Sequence, residues 1–181
     1  MYMYNGYWQN RPGYSSASAG YQDNQGNYRL DTYPGNYRDP YSGNRYTGQV
    51  DFGPNPFVIN IEDAVKSNSA FRVAIWTGNH LQVTLNSIDV GEDIGLEIHP
   101  NLDQFIRIEQ GQGMVLMGDR PDYLSFQRWV YPDYAIIIPA GTWHNIINTG
   151  HVPLKLYSIY APPQHRAGTV HLTRADAMAA E

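Results

Sequence analysis

The chain of 181 residues contains no cysteine. Disulfides, thiol catalysis and zinc–thiolate sites are therefore excluded, and the redox compartment stays open. Charge is also sparse, with 12 Lys and Arg against 17 Asp and Glu and a net charge of −5. Proteins that grip nucleic acid or anionic membrane present a basic patch, so neither partner is expected. No apolar run approaches the roughly 20 residues of a membrane span. The first residues, MYMYNGYWQN, carry neither the basic n-region nor the apolar h-region of a secretory signal. A cytoplasmic location is the resulting expectation.

Residues 1–50 also lack large aliphatic side chains, having only Leu30 and Val50, and no Lys or Glu occurs before Glu62. What they hold instead is tyrosine, ten of the fifteen in the chain, spaced by Gly, Asn and Ser. Gly26-Asn-Tyr-Arg29 recurs as Gly35-Asn-Tyr-Arg38, with a scrambled echo at Gly43-Asn-Arg-Tyr46. Fixing backbone costs about 1–2 kcal/mol per residue, and this composition has little apolar surface to offset it. Residues 1–52 are therefore expected to be a disordered low-complexity tail, and residues 53–181 the folded domain. Tyrosines interleaved with arginines can also make weak multivalent contacts. The tail resembles, in composition, segments of bacterial spore-coat proteins. That resemblance implies possible assembly into a coat or matrix, and a spore-coat location as the alternative; a linker without partners is the plainer reading.

From residue 51 the texture changes. Asn60-Ile-Glu-Asp-Ala-Val-Lys66 reads as a short helix, with Asn60 as N-cap and Glu62 and Asp63 in its first turn. Strand-like runs follow at 71–77, 80–88, 95–99, 104–109, 114–117, 126–130, 134–138, 144–148 and 154–160, separated by Gly, Asn and Asp turns. A last short helix is expected from Thr173. Many short strands without crossover helices predict an all-β sandwich or barrel rather than a parallel α/β sheet.

Two segments carry candidate chemistry. In Gly95-Leu-Glu-Ile-His99, Glu97 and His99 are two apart and share one strand face. In Pro139-Ala-Gly-Thr-Trp-His-Asn-Ile-Ile-Asn148, His144, Ile146 and Asn148 alternate onto one face after a tight turn. Alone, Glu97 and His99 would be a polar pair at a strand end. Gly91, Glu97-x-His99, Gln104 and Gly111 form one spaced set, and Pro139-x-Gly141, His144 and Asn148 a second. Both sets resemble the two motifs of the cupin superfamily, the germin-like jelly-roll barrels (double-stranded β-helices), over roughly residues 70–160. The chain looks most like small single-domain bacterial cupins. Asp133 stands where the second motif has its first Gly, Glu97 replaces a His, and Gln104 replaces a Glu.

The resemblance implies four ligands, Glu97, His99, Gln104 and His144, for a divalent transition metal such as manganese, iron, nickel or zinc. Gln104 binds the ion directly or hydrogen-bonds water on it. In the latter case two His and one carboxylate remain, the set favoured by non-haem iron. The resemblance further implies a homodimer, with residues 53–70 as the exchangeable piece, and a small-molecule ligand. The expected function is metal-dependent action on a small polar oxygen-containing substrate, by dioxygenation, decarboxylation or isomerisation. The alternative is a non-catalytic metal- or ligand-binding module. Glu97, if it does not bind metal, is expected to act as general base, its pKa raised by an apolar barrel.

The remaining candidates read as structural. Asn148 is expected to brace its turn, and Asp103 to serve a turn or the surface. Glu109 and Arg107 have the opposite strand parity from Gln104 and should face solvent. Ile106, Ile108 and Ile146 share the ligands' parity and should floor an apolar pocket. His151 should be exposed. His165 and His171 lie in a C-terminal stretch that could fold over a barrel mouth as a lid.

Overall fold

A computed structural model describes residues 51–180 and two short strands before them. The chain divides into two units, Met1–Tyr37 and Arg38–Glu181. In the first, β1 (Gly20–Gln22) pairs antiparallel with β2 (Tyr28–Leu30), Gly20 opposite Leu30. Asp51 and Phe52, expected in the tail, are instead tied into the folded unit, Asp51 accepting from Thr77 and Phe52 N–H donating to the Ile75 carbonyl, and the remaining tail residues lie outside the described residues. No described helix is long and apolar enough to cross a membrane.

The second unit opens with helix α1 (Ile61–Ser67), where the Asn60 side chain accepts from the backbone N–H of Asp63 as N-cap. Nine strands follow in order: β3 (Arg72–Thr77), β4 (Gln82–Ile88), β5 (Asp103–Gln110), β6 (Gly113–Gly118), β7 (Phe126–Val130), β8 (Ala135–Ile138), β9 (Trp143–Asn148), β10 (Leu154–Ala161) and β11 (Val170–His171). Helix α2 (Arg174–Met178) closes the unit with a capping box between Thr173 and Asp176. The helix starts expected at Asn60 and Thr173 are thus the observed caps. The sequence reading did not anticipate β11, which pairs with β3.

All pairings are antiparallel. One sheet runs β11-β3-β4-β10-β5-β8 and the other β7-β6-β9. Ile106, Ile108, Ile136 and Leu154 of the first pack with Val115, Val130 and Ile146 of the second in one buried cluster. The two sheets are therefore the walls of a jelly roll whose inner faces meet, the all-β architecture expected. α1 covers the outside of the first sheet, burying Ala64 and Val65 against Val73, Ile75 and Leu85.

Register gives the interior a polar region and an apolar one. Inward positions of β10 meet β4 as Leu154–Ile88, Leu156–Asn86, Ser158–Thr84 and Tyr160–Gln82. On its other edge β10 sets Tyr160 opposite Gln104 and Ser158 opposite Ile106. Because side chains alternate by two along a strand, the polar residues gather at one end of the barrel. Leu, Ile and Val fill the other.

Three expectations need correction. Residues 95–99 are not a strand but an extended segment with a single bridge, Glu97 to His144. β4 begins at Gln82 rather than His80. Glu109, expected in solvent, is buried, its side chain only 4% exposed and 3.3 Å from the Arg107 guanidinium. Asp133, at the position of the motif glycine, adopts φ of 72°. The turn thus keeps the left-handed backbone that glycine usually supplies, in a residue type that tolerates it better than most.

Candidate metal centre

The extended segment is stitched to β9 and to the turn before it. Glu97 and His144 exchange backbone hydrogen bonds of 3.0 and 2.9 Å, and the Gly141 N–H donates to the His99 carbonyl at 2.9 Å. Gly141 has φ of 76°, which a Cβ would strain, so the tight turn itself requires glycine. These contacts place Glu97, His99 and His144 together, with one ligand atom from each within 4.8 Å of the others. His144 is fully buried and His99 6% exposed, while the Glu97 side chain keeps 13% exposure. The approach from solvent is therefore on the Glu97 side.

The ring of His144 is oriented at both ends. Its Nδ1 lies 2.9 Å from the Thr142 carbonyl, an acceptor only, so Nδ1 carries the proton. Nε2 then points a lone pair at Glu97 Oε1, 3.2 Å away. Two acceptors face each other unless a cation stands between them: a second proton on the imidazole, or a metal ion. His99 Nε2 lies 3.5 Å from the same carboxylate oxygen, is buried, and has no hydrogen-bond partner. Three converging donor atoms, one of them orphaned, are what a divalent ion needs. The residues fit the metal that the motif implies.

Gln104, on β5, is 2% exposed. Its amide nitrogen reaches the Ser158 hydroxyl at 3.4 Å, and its amide oxygen is buried without a partner. It lines the same cavity as Glu97. That free acceptor suits either role expected of it, as a ligand or as acceptor from a metal-bound water.

The expected direction of the Glu97 pKa is overturned. Burial would raise it, but hydrogen bonding and charge from the His144 and His99 imidazoles, once their Nε2 atoms carry protons, outweigh burial and hold the carboxyl down at about 2. A carboxylate so strongly acidic is a poor general base near neutrality and a good metal ligand.

Among the other candidates, Asn148 braces its turn, donating to the carbonyls of Ile88 and Val152 and accepting from Gly150 N–H. Asp103 accepts from Ala140 N–H at 2.9 Å and pins the turn before β9. Ile106 lines the cavity as expected, and Ile108 and Ile146 belong to the core. The C-terminal stretch does fold over the barrel. His165 hydrogen-bonds Gln82 through its backbone N–H and carbonyl, and its ring meets the edge of Tyr160 at 5.1 Å. Tyr160 in turn meets His99 at 5.7 Å. Burial, then the charge of Arg72, hold His165 down to about 3, so its ring stays neutral.

Four polar cavity residues escaped the sequence reading, Arg72, Asn86, Ser158 and Tyr160, as did the apolar Ile94 and Leu156. Ser158 and Tyr160 share the inward parity of Leu154 and Leu156, and a parity count along β10 would have found them. Arg72 is legible only as a lone cation in the apolar run Phe71-Arg-Val-Ala-Ile-Trp76. The cavity that these residues enclose with Glu97 and Gln104 is about 10 Å³, room for roughly one water-sized body.

Residues 85–160 match the family model of the cupin domain. A Bacillus subtilis relative, the uncharacterized protein YrkC, is 69% identical over 131 residues, which cover 72% of this chain and 70% of that one. An uncharacterized protein of Acanthamoeba polyphaga mimivirus is 40% identical over 119 residues, covering 65% of this chain and 72% of its own. A crystal structure from Bacillus halodurans superposes with a TM-score of 0.71 at 71% identity, covering 72% of this chain and 98% of the other.

Proposed function

The chain belongs to the cupin superfamily, and on that premise we propose that its barrel is a metal-dependent active site for a small oxygen-donor substrate. The observation that supports this most is His144, whose Nδ1 is committed to Thr142 while its Nε2 faces Glu97 Oε1 at 3.2 Å. Glu97, His99 and His144 would hold the ion, with Gln104 beside it. When bound, the ion would polarise a carbonyl, enol or carboxylate oxygen of the substrate. The protein's own part is positioning and dryness. Thr142 fixes one imidazole, Tyr160 packs edge-on against the other, and Ile94, Ile106 and Leu156 form the apolar part of the chamber wall. In such surroundings each charge acts more strongly than it would in water. Glu97 stays ionised throughout the neutral range, so the reaction draws on it as a ligand rather than as a proton acceptor.

A second reading, a non-catalytic metal- or ligand-binding module anchored by the tyrosine-rich tail, is favoured by the small chamber. One experiment separates the two. The full-length chain, loaded in turn with manganese, iron, nickel and zinc, is given small keto, enol and carboxylic compounds, with substrate loss followed by NMR and oxygen by electrode. Turnover that His144→Ala abolishes supports the enzyme. Stoichiometric metal with no turnover of any compound supports the module.

A further inference from the structure

The two imidazoles of the centre are held in different ways. His144 has its ring fixed by the Thr142 carbonyl at 2.9 Å. His99 Nε2 takes no hydrogen bond, and its ring is set by packing. It lies 5.3 Å from the His144 ring and 5.7 Å from Tyr160, the latter at 86°. Ring quadrupoles favour edge-to-face pairs at such separations, so the Tyr160 contact carries an angle as well as a distance. Tyr160 meets a second ring in the same manner, His165 at 5.1 Å and 90°. A chain of ring contacts, His165 to Tyr160 to His99, thus leads from the C-terminal stretch to the centre.

The outer end of that chain is pinned to the barrel. Gln82, fully buried on β4 and paired with Tyr160 of β10, clamps the His165 backbone. Its amide nitrogen donates to the His165 carbonyl and its amide oxygen accepts from the His165 N–H, both at 2.9 Å. Three residues on, Gly168 N–H donates to Asp51 Oδ2 at 2.9 Å, and the same carboxylate accepts from the N–H and the hydroxyl of Thr77 at the end of β3. β11 then ties the chain to β3, Val170 opposite Val73. The stretch is therefore a strap fastened along its length rather than a lid free to open. The clamp on its backbone sets the His165 ring against Tyr160. That ring acts by shape: burial above all keeps it neutral, and its Nε2 is buried without a hydrogen-bond partner.

We propose that His165 is a positioning residue of the metal centre: clamped by Gln82, it fixes Tyr160 and, through Tyr160, the angle at which His99 presents Nε2 to the ion. The inference rests on the metal reading and deepens it by extending the centre to the strap. Orientation matters to affinity because a ring free to rotate must be ordered when the ion binds, and a fixed one need not be. His144 has that order from a hydrogen bond, and His99 has it from the strap.

The test uses the full-length chain with His165→Ala, His165→Phe and, as a control, Asn60→Ala, which removes the N-cap of α1 and lowers stability away from the centre. Cobalt(II) is the probe. Its affinity is read by chelator competition and its ligand geometry by visible absorption, and the His99 ring resonances of the metal-free protein are followed by NMR. His165→Ala should bind cobalt(II) about tenfold more weakly, change the visible spectrum and shift the His99 resonances. His165→Phe keeps a ring against Tyr160 and should match wild type in all three, as should Asn60→Ala. A folded His165→Ala with affinity within about twofold of wild type and an unchanged spectrum overturns the proposal. So does an Asn60→Ala that loses as much affinity as His165→Ala, or a His165→Phe that fails to restore it. If His165→Ala does not fold, His165→Leu, which keeps apolar volume but no ring, decides by the same criteria. A wild type that takes up no cobalt(II), while its His99 resonances move in His165→Ala and return in His165→Phe, sinks the metal reading and leaves the positioning of His99 standing.

Discussion

His144 presents the lone pair of Nε2 to Glu97 Oε1 at 3.2 Å because its Nδ1 proton is spent on the Thr142 carbonyl at 2.9 Å. An acceptor facing an acceptor in a buried place is unfavourable unless something positive lies between them. A second proton on the imidazole or a bound metal ion would each relieve the conflict, and backbone pairing between Glu97 and His144 holds the two residues in that relation.

Gln104 should affect metal retention less than the imidazoles do. Gln104→Leu removes the orphaned amide oxygen while keeping the apolar volume. Groups that support a metal site typically contribute about 10–100-fold in affinity. Chelator competition should show metal affinity lowered by about tenfold in Gln104→Leu. An unchanged affinity would put Gln104 outside the centre.

Asp93 ties the C-terminal helix to the loop before the site, accepting from Arg174 Nε at 2.9 Å and from Asn145 at 3.2 Å. Burial would raise its pKa, but these hydrogen bonds outweigh burial and lower it below the ordinary 3.8. A carboxyl with a depressed folded pKa adds stability that is complete above the unfolded value. That stability is lost as pH falls through the folded one. Both partners are about one-third exposed, so the pair contributes about 1 kcal/mol at most. Urea unfolding of wild type and Asp93→Asn should show that gap at pH 7, closing as pH drops below 3.8. A gap of equal size at low pH would contradict the assignment.

Asp133 tests the backbone requirement of the second motif. Its φ of 72° is natural for glycine and costs an alanine about 1 kcal/mol. Asp133→Gly and Asp133→Ala both lose the exposed contact with Arg107, so their difference isolates the backbone. The glycine variant should be the more stable by about 1 kcal/mol in denaturant titration. An alanine variant of equal stability would show that the turn carries no such strain.

Much of this was legible in the sequence, and the divide follows strand parity. His144, Ile146 and Asn148 alternate on a true strand, and their inward direction could be counted. Glu97 and His99 converge although their segment is not a strand, because bridging to β9 keeps it extended. Arg72 was missed because a lone arginine among apolar residues looks the same in sequence whether it lies inside a barrel or at its rim. Only the β3–β4 register, with its irregularity between Ala74 and Trp76, fixes the direction. The Glu97 pKa was misjudged for a related reason. Burial was foreseeable from an apolar strand, whereas two imidazoles within 3.5 Å of one oxygen arise from three distant chain positions. Glu109 keeps the outward parity, but α1 packs on β5 on that face and its Glu62 and Lys66 charges act on Glu109, a neighbour that parity alone does not reveal.

The most direct measurement is the metal content of freshly purified full-length protein beside His99→Ala and His144→Ala. About one equivalent of a divalent transition metal is expected in wild type, and a loss of at least tenfold in each variant whose circular dichroism matches wild type. Metal content unchanged in both folded variants, or a wild type that takes up no divalent ion when challenged, would contradict the centre formed by Glu97, His99 and His144.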